Sequence, residues 1–236
     1  MSAKYKRILI KLSGEAISGE ANGILNFDIL AQIADVIKKC QAEGTQIAVM
    51  IGAGNIWRGR QGGKMNRSRA DHMGMLATTI NSLALQQALE DADVKAVTMT
   101  SVSMEEFAEK YSSRNAVRAL DAGYVVILGG GSGLPFFSTD TAAVLRAAEI
   151  EADVVLMAKN IDAIYTADPR KYSTATKISE ITYQEILARG LQAMDSTATS
   201  FAMDNKISIH VFGLDKCENI FNVIMGAEMG TIVKGE

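Results

Sequence analysis

The sequence predicts an α/β fold, a largely parallel β-sheet sandwiched by helices. Strand-like and helix-like patterns alternate from end to end. Three strand segments, Gln46–Ile51 (apolar from Ile47 on), Val125–Leu128 and Val154–Ala158, are apolar on both faces, as strands covered on both sides are. There is no repeat and no low-complexity tract, and the only prolines, Pro135 and Pro169, fall at predicted loops. One continuous sheet, with or without two lobes, is therefore expected, and no clean domain boundary is visible.

Each element has a local reason. Tyr5–Leu12 reads as the first strand, with Ile8 and Ile10 on one face and Leu9 on the other. Asn26–Glu43 carries Ile29, Ile33, Val36, Ile37 and Cys40 at helical spacing, and Gly44 stops it. Gln46–Ile51 is the second strand. Ser68–Ala92 is a long helical pattern that leads into strand-like Ala96–Thr100. A short helix, Arg114–Ala122, precedes strand Val125–Leu128. Thr141–Glu151 is helical, Val154–Ala158 is a strand and Tyr183–Gly190 is a helix. The last unit is strand Ile207–Phe212, helix Asn219–Gly226 and strand Thr231–Lys234.

Composition narrows the classes of function. The 236 residues suit one large domain or two small ones, and 48% hydrophobic with 22% charged residues suits a folded chain with a sizeable core. The same balance excludes disorder. Lys plus Arg is 24 against 27 for Asp plus Glu, a net charge of −3, so the basic footprint of a dedicated nucleic-acid binder is missing. The longest apolar runs fall far short of the ~20 residues that span a bilayer. Met1–Ile8 is cationic without the apolar stretch of a signal peptide. Cys40 and Cys217 make no metal-ligand spacing; two thiols in so long a chain fit a reducing cytoplasm, with one disulfide as the alternative. His72 and His210 stand far apart in sequence, offer little for a zinc site or a histidine-activated nucleophile, and are read as structural. No metal ligands are assigned.

Ligands of such sheets gather at the carboxyl ends of the strands, so the loops after strands carry the functional reading. Lys11-Leu12-Ser13-Gly14-Glu15 ends the first strand with a cation and a glycine. Gly52-Ala53-Gly54-Asn55 follows the second, with Arg58 shortly after. Gly129–Pro135 is glycine-rich and runs through Phe136 and Phe137 into Ser138-Thr139-Asp140 before a helix. Lys159-Asn160-Ile161-Asp162 continues to Tyr165 and Asp168-Pro169. Glycine lets backbone N–H groups approach an anion, so two such loops in one sheet point to a phosphate-rich ligand. Tight turns alone are the competing reading. GAGNIWRG lacks the third glycine of G-x-G-x-x-G, and no G-x-x-x-x-G-K-S/T occurs, which disfavours a standard Rossmann dehydrogenase and a P-loop kinase.

Taken singly, the polar residues have ordinary explanations. Lys11 suits a strand-end charge, Asp140 a helix cap, Asp168 a turn starter, and Asp71 a carboxylate near a helix N-terminus. Their joint placement at strand ends is what argues for chemistry. Residues 58–69 hold five cations, Arg58, Arg60, Lys64, Arg67 and Arg69, and no acid. This glycine-containing stretch reads as a solvated loop, as a segment that closes over phosphate, or as a nucleic-acid-contacting patch too small to set the identity of the whole chain.

The segments KLSGE, GAGNIWRG, ADHMGMLAT, GLPFFSTDTAAVLRAAEIEADVVL, DAIYTADP and MDSTATSFAMDN resemble those of the amino-acid kinase family, and within it those of the bacterial UMP kinases. The resemblance runs from about Tyr5 to Lys234. It implies an open, mainly parallel α/β sandwich unrelated to P-loop kinases, in one domain over residues 1–236. The acceptor site would lie mainly in the N-terminal part and the ATP site mainly in the C-terminal part. The implied reaction is ATP plus UMP giving ADP plus UDP, with Mg²⁺ carried by ATP. A cytoplasmic homo-oligomer, typically a hexamer, with GTP activation and UTP inhibition is also implied.

Carried across by motif, Lys11, Leu12, Ser13 and Gly14 would line the ATP phosphates beside Gly54 and Arg58. Asn160, Tyr165 and Asp168 would hold the adenosine. Ala53 and Asp71 would contact UMP, and Ser132, Gly133, Leu134, Pro135, Phe136, Phe137, Ser138 and Thr139 would wrap its base and phosphate. Lys11, Arg58 and Asp140 would be the catalytic set, with Asp140 orienting Lys11 because a UMP phosphate is already ionised; Lys159 is a candidate second cation. Three positions depart from the family pattern: Ala53 and Ala163 stand for glycine, and Leu134 for an asparagine. A relative that phosphorylates another small anion and a non-catalytic nucleotide sensor are the competing functions.

Overall fold

The computed structural model describes residues 3–18, 23–191 and 194–235. Along the chain, β1 (Arg7–Leu12), α1 (Gly14–Ser18), α2 (Phe27–Ala42) and β2 (Gln46–Ile51) come first. A 3₁₀ turn at Gly59–Gln61 leads to α3 (Arg67–Asp91), β3 (Ala96–Thr100) and β4 (Glu109–Lys110). Next come α4 (Ser113–Asp121), β5 (Val125–Gly129), α5 (Thr139–Glu149) and β6 (Val154–Lys159). The short strands β7 (Ile164–Tyr165), β8 (Lys177–Ile178) and β9 (Glu180–Thr182) precede α6 (Tyr183–Arg189) and α7 (Ser196–Asp204). The chain ends in β10 (Ile209–Gly213), α8 (Asn219–Ile224) and β11 (Thr231–Lys234).

Among the described residues, nine strands form one open sheet in the order β4-β3-β5-β2-β1-β6-β10-β11-β9. Every pairing within it is parallel except β10 with β11. β7 and β8 make a separate antiparallel ribbon. The mainly parallel sheet expected from the apolar strands is therefore present.

The period of two along β1 sorts its side chains between two cores. Ile8, Ile10 and Leu12 join Ile47, Val49 and Ile51 under α2 and α8. Leu9 joins Ala48, Met50 and Val126 under α4, α5, α6 and α7. On α2, Leu30, Ile33 and Ile37 are fully buried; each such side chain contributes about 1.5–3 kcal/mol of burial. Short polar residues start the helices. Asn26 caps α2, Asn66 caps α3, Ser138 caps α5, and Thr182 with Glu185 forms a capping box on α6.

The periodic helices appear within a residue or two of their expected ends. What the sequence pattern missed is short or weakly periodic. α7 is rich in Ser and Thr, which lowers its helical signal, and it is started by Asp195, which accepts from Ala198 N–H at 2.9 Å. The two-residue strands β4, β7 and β8 are too short to show any period.

Candidate active site

The four loops singled out in sequence follow β5, β2, β1 and β6, which are adjacent in the sheet. The loops after β1, β2 and β5 surround one cleft of about 870 Å³, to which the end of β6 contributes Lys159. From β1 the sheet runs through β2 to β5 on one side and through β6 to β10 on the other. The cleft thus sits where a parallel α/β sheet opens to ligands.

Lys11 and Leu12 illustrate how the sheet assigns side chains. Leu12 is buried in the core under α2, so its side chain does not line the cleft; alternation turns it away from where Lys11 points. Lys11, only 8% exposed, faces α5. Its ammonium lies 2.7 Å from Asp140 Oδ1. Lys159, at the end of β6, donates to Asp140 Oδ2 at 2.8 Å. Burial alone would raise the Asp140 carboxyl, yet the Lys11 and Lys159 ammonium groups outweigh it and hold the pKa at about 2. Such a carboxylate is a weak proton acceptor at neutral pH. Its two oxygens pair with two cations on the cleft floor, Lys11 and Lys159.

The walls are cross-braced. A Cβ on Gly14 would come within 2.6 Å of Gly54 N and 2.8 Å of Gly52 O, so only glycine lets the loop after β1 pack against the loop after β2. Asn81, fully buried on α3, donates to Gly52 O at 2.7 Å and to Asn55 Oδ1 at 2.9 Å. Arg58 pairs with Glu15. Ser138 donates to Asp195, and Thr141 Oγ1 also bonds Asp195, at 3.0 Å. That carboxylate therefore ties the starts of α5 and α7 together. Asp195, Glu15 and Asn81 were missed as site residues. The MDSTATSFAMDN motif contained the first, but nothing in its spacing told that it reaches α5.

Asp71 lines the cleft with both oxygens engaged. Arg67 Nε lies 2.9 Å from each, and Phe136 N–H donates to Oδ2 at 2.8 Å. The chain from Gly130 to Phe137 arches over this point. Gly130, Gly131 and Gly133 have positive φ, and so does Phe136 at 71°, a left-handed conformation uncommon for a bulky residue. Leu134, Phe136 and Phe137 are each at least half exposed and give the cleft an apolar rim. Arg67 lies over the Phe136 ring, 5.6 Å from its centroid.

Of the expected residues, Lys11, Ser13, Gly14, Ala53, Gly54, Arg58, Asp71, Ser132, Leu134, Phe136, Phe137, Ser138, Thr139, Asp140 and Lys159 line this cleft. Leu12, Gly133, Pro135, Asn160, Tyr165 and Asp168 are not among its lining residues. Asn160 and Asp168 are exposed beyond β6. Asp168 accepts from Arg170 N–H at 3.0 Å, as its turn-starter reading predicts. The cationic stretch 58–69 is not all free charge, since Arg58 pairs with Glu15 and Arg67 with Asp71; Lys64 and Arg69 are exposed. His72 is exposed on α3, and buried His210 meets Met229 O at 2.6 Å; neither lines the cleft. Among the described residues no three carboxylate, histidine or cysteine side chains cluster as a resident metal would need. None of the helices described is long and apolar enough to cross a membrane.

The profile of the amino acid kinase family matches residues 6–213. Among solved structures, this chain is similar to a UMP kinase from Bacillus anthracis at 36% identity and TM-score 0.94, covering 98% of this chain and 96% of that one. It is similar to a UMP kinase from Ureaplasma parvum at 34% identity and TM-score 0.92, covering 98% and 99%. A uridylate kinase from Archaeoglobus fulgidus is more distant, at 25% identity and TM-score 0.73, covering 96% and 99%. With the sheet order, the paired lysines on its central strands and a family match over most of the chain in agreement, this protein belongs to the amino acid kinase family.

Proposed function

We propose that the chain is a UMP kinase, transferring the γ-phosphoryl group of ATP to UMP and releasing UDP and ADP in pyrimidine nucleotide biosynthesis. The observation that carries this reading is the pair of lysines held on one carboxylate at the floor of the cleft. The similarity to solved UMP kinases supports UMP as the acceptor.

The chemistry needs charge stabilisation more than proton transfer. A UMP phosphate oxygen attacks the γ-phosphorus, and the bond to the ADP oxygen breaks. The attacking oxygen is already ionised, so no general base is required. Lys11 stabilises the transferring phosphoryl group, Lys159 adds the second cation, and Asp140 holds both in place. Arg58, Ser13, Gly14 and Gly54 line the phosphate path of ATP. Asn160, Tyr165 and Asp168 take the adenosine at the carboxyl end of β6. Mg²⁺ enters with ATP as part of the substrate, where it neutralises phosphate charge.

Ala53 and Asp71, with the loop from Ser132 to Thr139, take UMP, so the N-terminal part of this single domain serves mainly the acceptor. Two of the Asp71 contacts, to Arg67 and Phe136, must be exchanged or shared when a ribose hydroxyl donates to it. With Leu134 in place of an amide, backbone groups of this loop read the base. The oligomer is formed through the face of α3 where Met73, Leu76 and Ile80 are exposed together.

A coupled assay over UMP, CMP, dUMP, aspartate, acetylglutamate and carbamate tests the reading. UMP is expected to be turned over preferentially, and Lys11→Ala is expected to lower kcat by about 100-fold or more, as loss of one electrostatic donor does. Turnover of another acceptor with none on UMP would overturn the substrate. UMP turnover unchanged by Lys11→Ala would overturn the mechanism. Binding without turnover of any acceptor would favour a nucleotide sensor.

A further inference from the structure

Behind the glycine-rich loop after β5, outside the cleft, lies a buried cation that the reaction does not use. Arg146 on α5 has a side chain only 9% exposed. Its Nη1 donates to Glu149 Oε2 at 2.6 Å. Its Nη2 donates to Ser101 Oγ at 3.1 Å and approaches Ser132 O at 3.5 Å. The guanidinium carbon stands 4.0 Å from the centroid of the Tyr111 ring, and the Tyr111 hydroxyl donates to the same Glu149 oxygen at 2.6 Å. Both arms of the guanidinium and one of its faces are therefore directed by neighbours: a carboxylate on one arm, a hydroxyl on the other, and an aromatic ring beneath.

The arm that reaches Ser101 continues into the loop. Ser101 Oγ accepts from Arg146 and donates to Gly131 O at 2.6 Å, and Ser101 N–H donates to Gly129 O at 3.2 Å. The loop wraps Ser101 so closely that a Cβ on Gly133 would stand 3.0 Å from Ser101 Cβ, and Gly133 has a φ of 81°. Gly130, Gly131 and Ser132 line the cleft, whereas Arg146 and Ser101 do not. Burying a charged guanidinium is costly unless every arm is partnered. Here two of its partners lie in or against the loop that faces the ligand.

We propose that Arg146, acting through Ser101 and Ser132 O, is a positioning residue for the acceptor nucleotide, setting the conformation of the Gly130–Ser132 loop without touching the substrate. The proposal rests on the reading that this loop receives UMP. Its consequence is selective. Disturbing the relay weakens acceptor binding and leaves the ATP side, built on the loops after β1, β2 and β6, as it was.

The test is steady-state kinetics with UMP and ATP varied separately, together with thermal melting, on Arg146→Lys, Ser101→Ala, their double variant and Tyr111→Phe. Arg146→Lys keeps the charge but loses the two-armed fork, and Ser101→Ala removes only the relay hydroxyl. Both are expected to raise KM for UMP about tenfold, with KM for ATP changed less than twofold. The double variant is expected to be no worse than the poorer single variant, since both cut one chain of hydrogen bonds. Tyr111→Phe keeps the ring under the guanidinium and is expected to leave KM for UMP within twofold.

Equal rises in both KM values, a lowered melting temperature with unchanged kinetics, or the same UMP defect in Tyr111→Phe would overturn the proposal. Should Arg146→Lys fail to fold, Ser101→Ala decides by the same split. If the unmodified enzyme uses an acceptor other than UMP, the function reading has failed. The proposal is then judged on KM for that acceptor.

Discussion

Asp140 carries more of this site than its place in the first turn of α5 suggests. One carboxylate is shared by Lys11 and Lys159, from β1 and β6. Because its folded pKa, about 2, lies below the ordinary 3.8, ionised Asp140 stabilises the fold at all pH values above about 4. That contribution is lost as pH falls from about 4 towards 2. The shift corresponds to about 2 kcal/mol. Asp140→Asn removes the contribution and leaves the two lysines repelling each other. Urea unfolding of both proteins between pH 6 and pH 2 is expected to show the wild-type advantage shrinking by about 2 kcal/mol below pH 4. An advantage that stayed constant to pH 2 would refute the assignment. From sequence, Asp140 was legible as a capping-region acid and, through the motif, as a lysine partner. That it binds two lysines depends on β1 and β6 being neighbours, which no local pattern states.

At the scale of elements, the cleft depends on loops that touch backbone to backbone. Gly14 is the clearest case, because the atoms its missing side chain would meet include Gly54 N and Gly52 O. Neither can move without dragging the end of β2. Gly14→Ala is therefore expected to lower stability by about 1–3 kcal/mol and to weaken ATP binding tenfold or more. Calorimetric titration with ATP and a thermal melt would check both. A variant with wild-type ATP affinity would show that the two loops are not rigidly coupled. The helices that build this frame were readable where their apolar stripes are regular, as in α2 and α5. α7 was not, since its start is set by Asp195 reaching across to Ser138 and Thr141 on α5.

At the scale of the molecule, the outer face of α3 is unlike an ordinary solvent face. Met73, Leu76 and Ile80 are exposed on one side of this 25-residue helix, while Met75, Leu85 and Leu89 are buried. Ile24 and Phe27, near the start of α2, are exposed as well, and Asn55, which bonds both Ile24 O and Asn81, brings that segment beside α3. A Leu76→Lys, Ile80→Lys double variant is expected to shift the protein to a smaller species in light scattering with its helical circular dichroism intact. An unchanged mass would overturn the proposed oligomer contact on this face.

The sequence by itself determined which faces of its regular segments go inside, and it marked the longer strands and the periodic helices, though not α7 or the short strands β4, β7 and β8. Its period of two split Ile8 and Ile10 from Leu9, and its helical period drew the buried stripe of α2. It also marked the loops after β1, β2, β5 and β6 as the places where glycine and charge accumulate. Those properties are local, fixed by backbone geometry and by the preference of apolar groups for a covered face. Only the tertiary structure decided which loops share a cleft, that Lys159 joins Lys11 on Asp140, that Asp195 braces the cleft wall and Arg146 lies behind it, and that Leu12 turns away from it. Strand order and ion-pair partners are contacts between segments far apart in sequence, and periodicity tells a residue its face, never its neighbour.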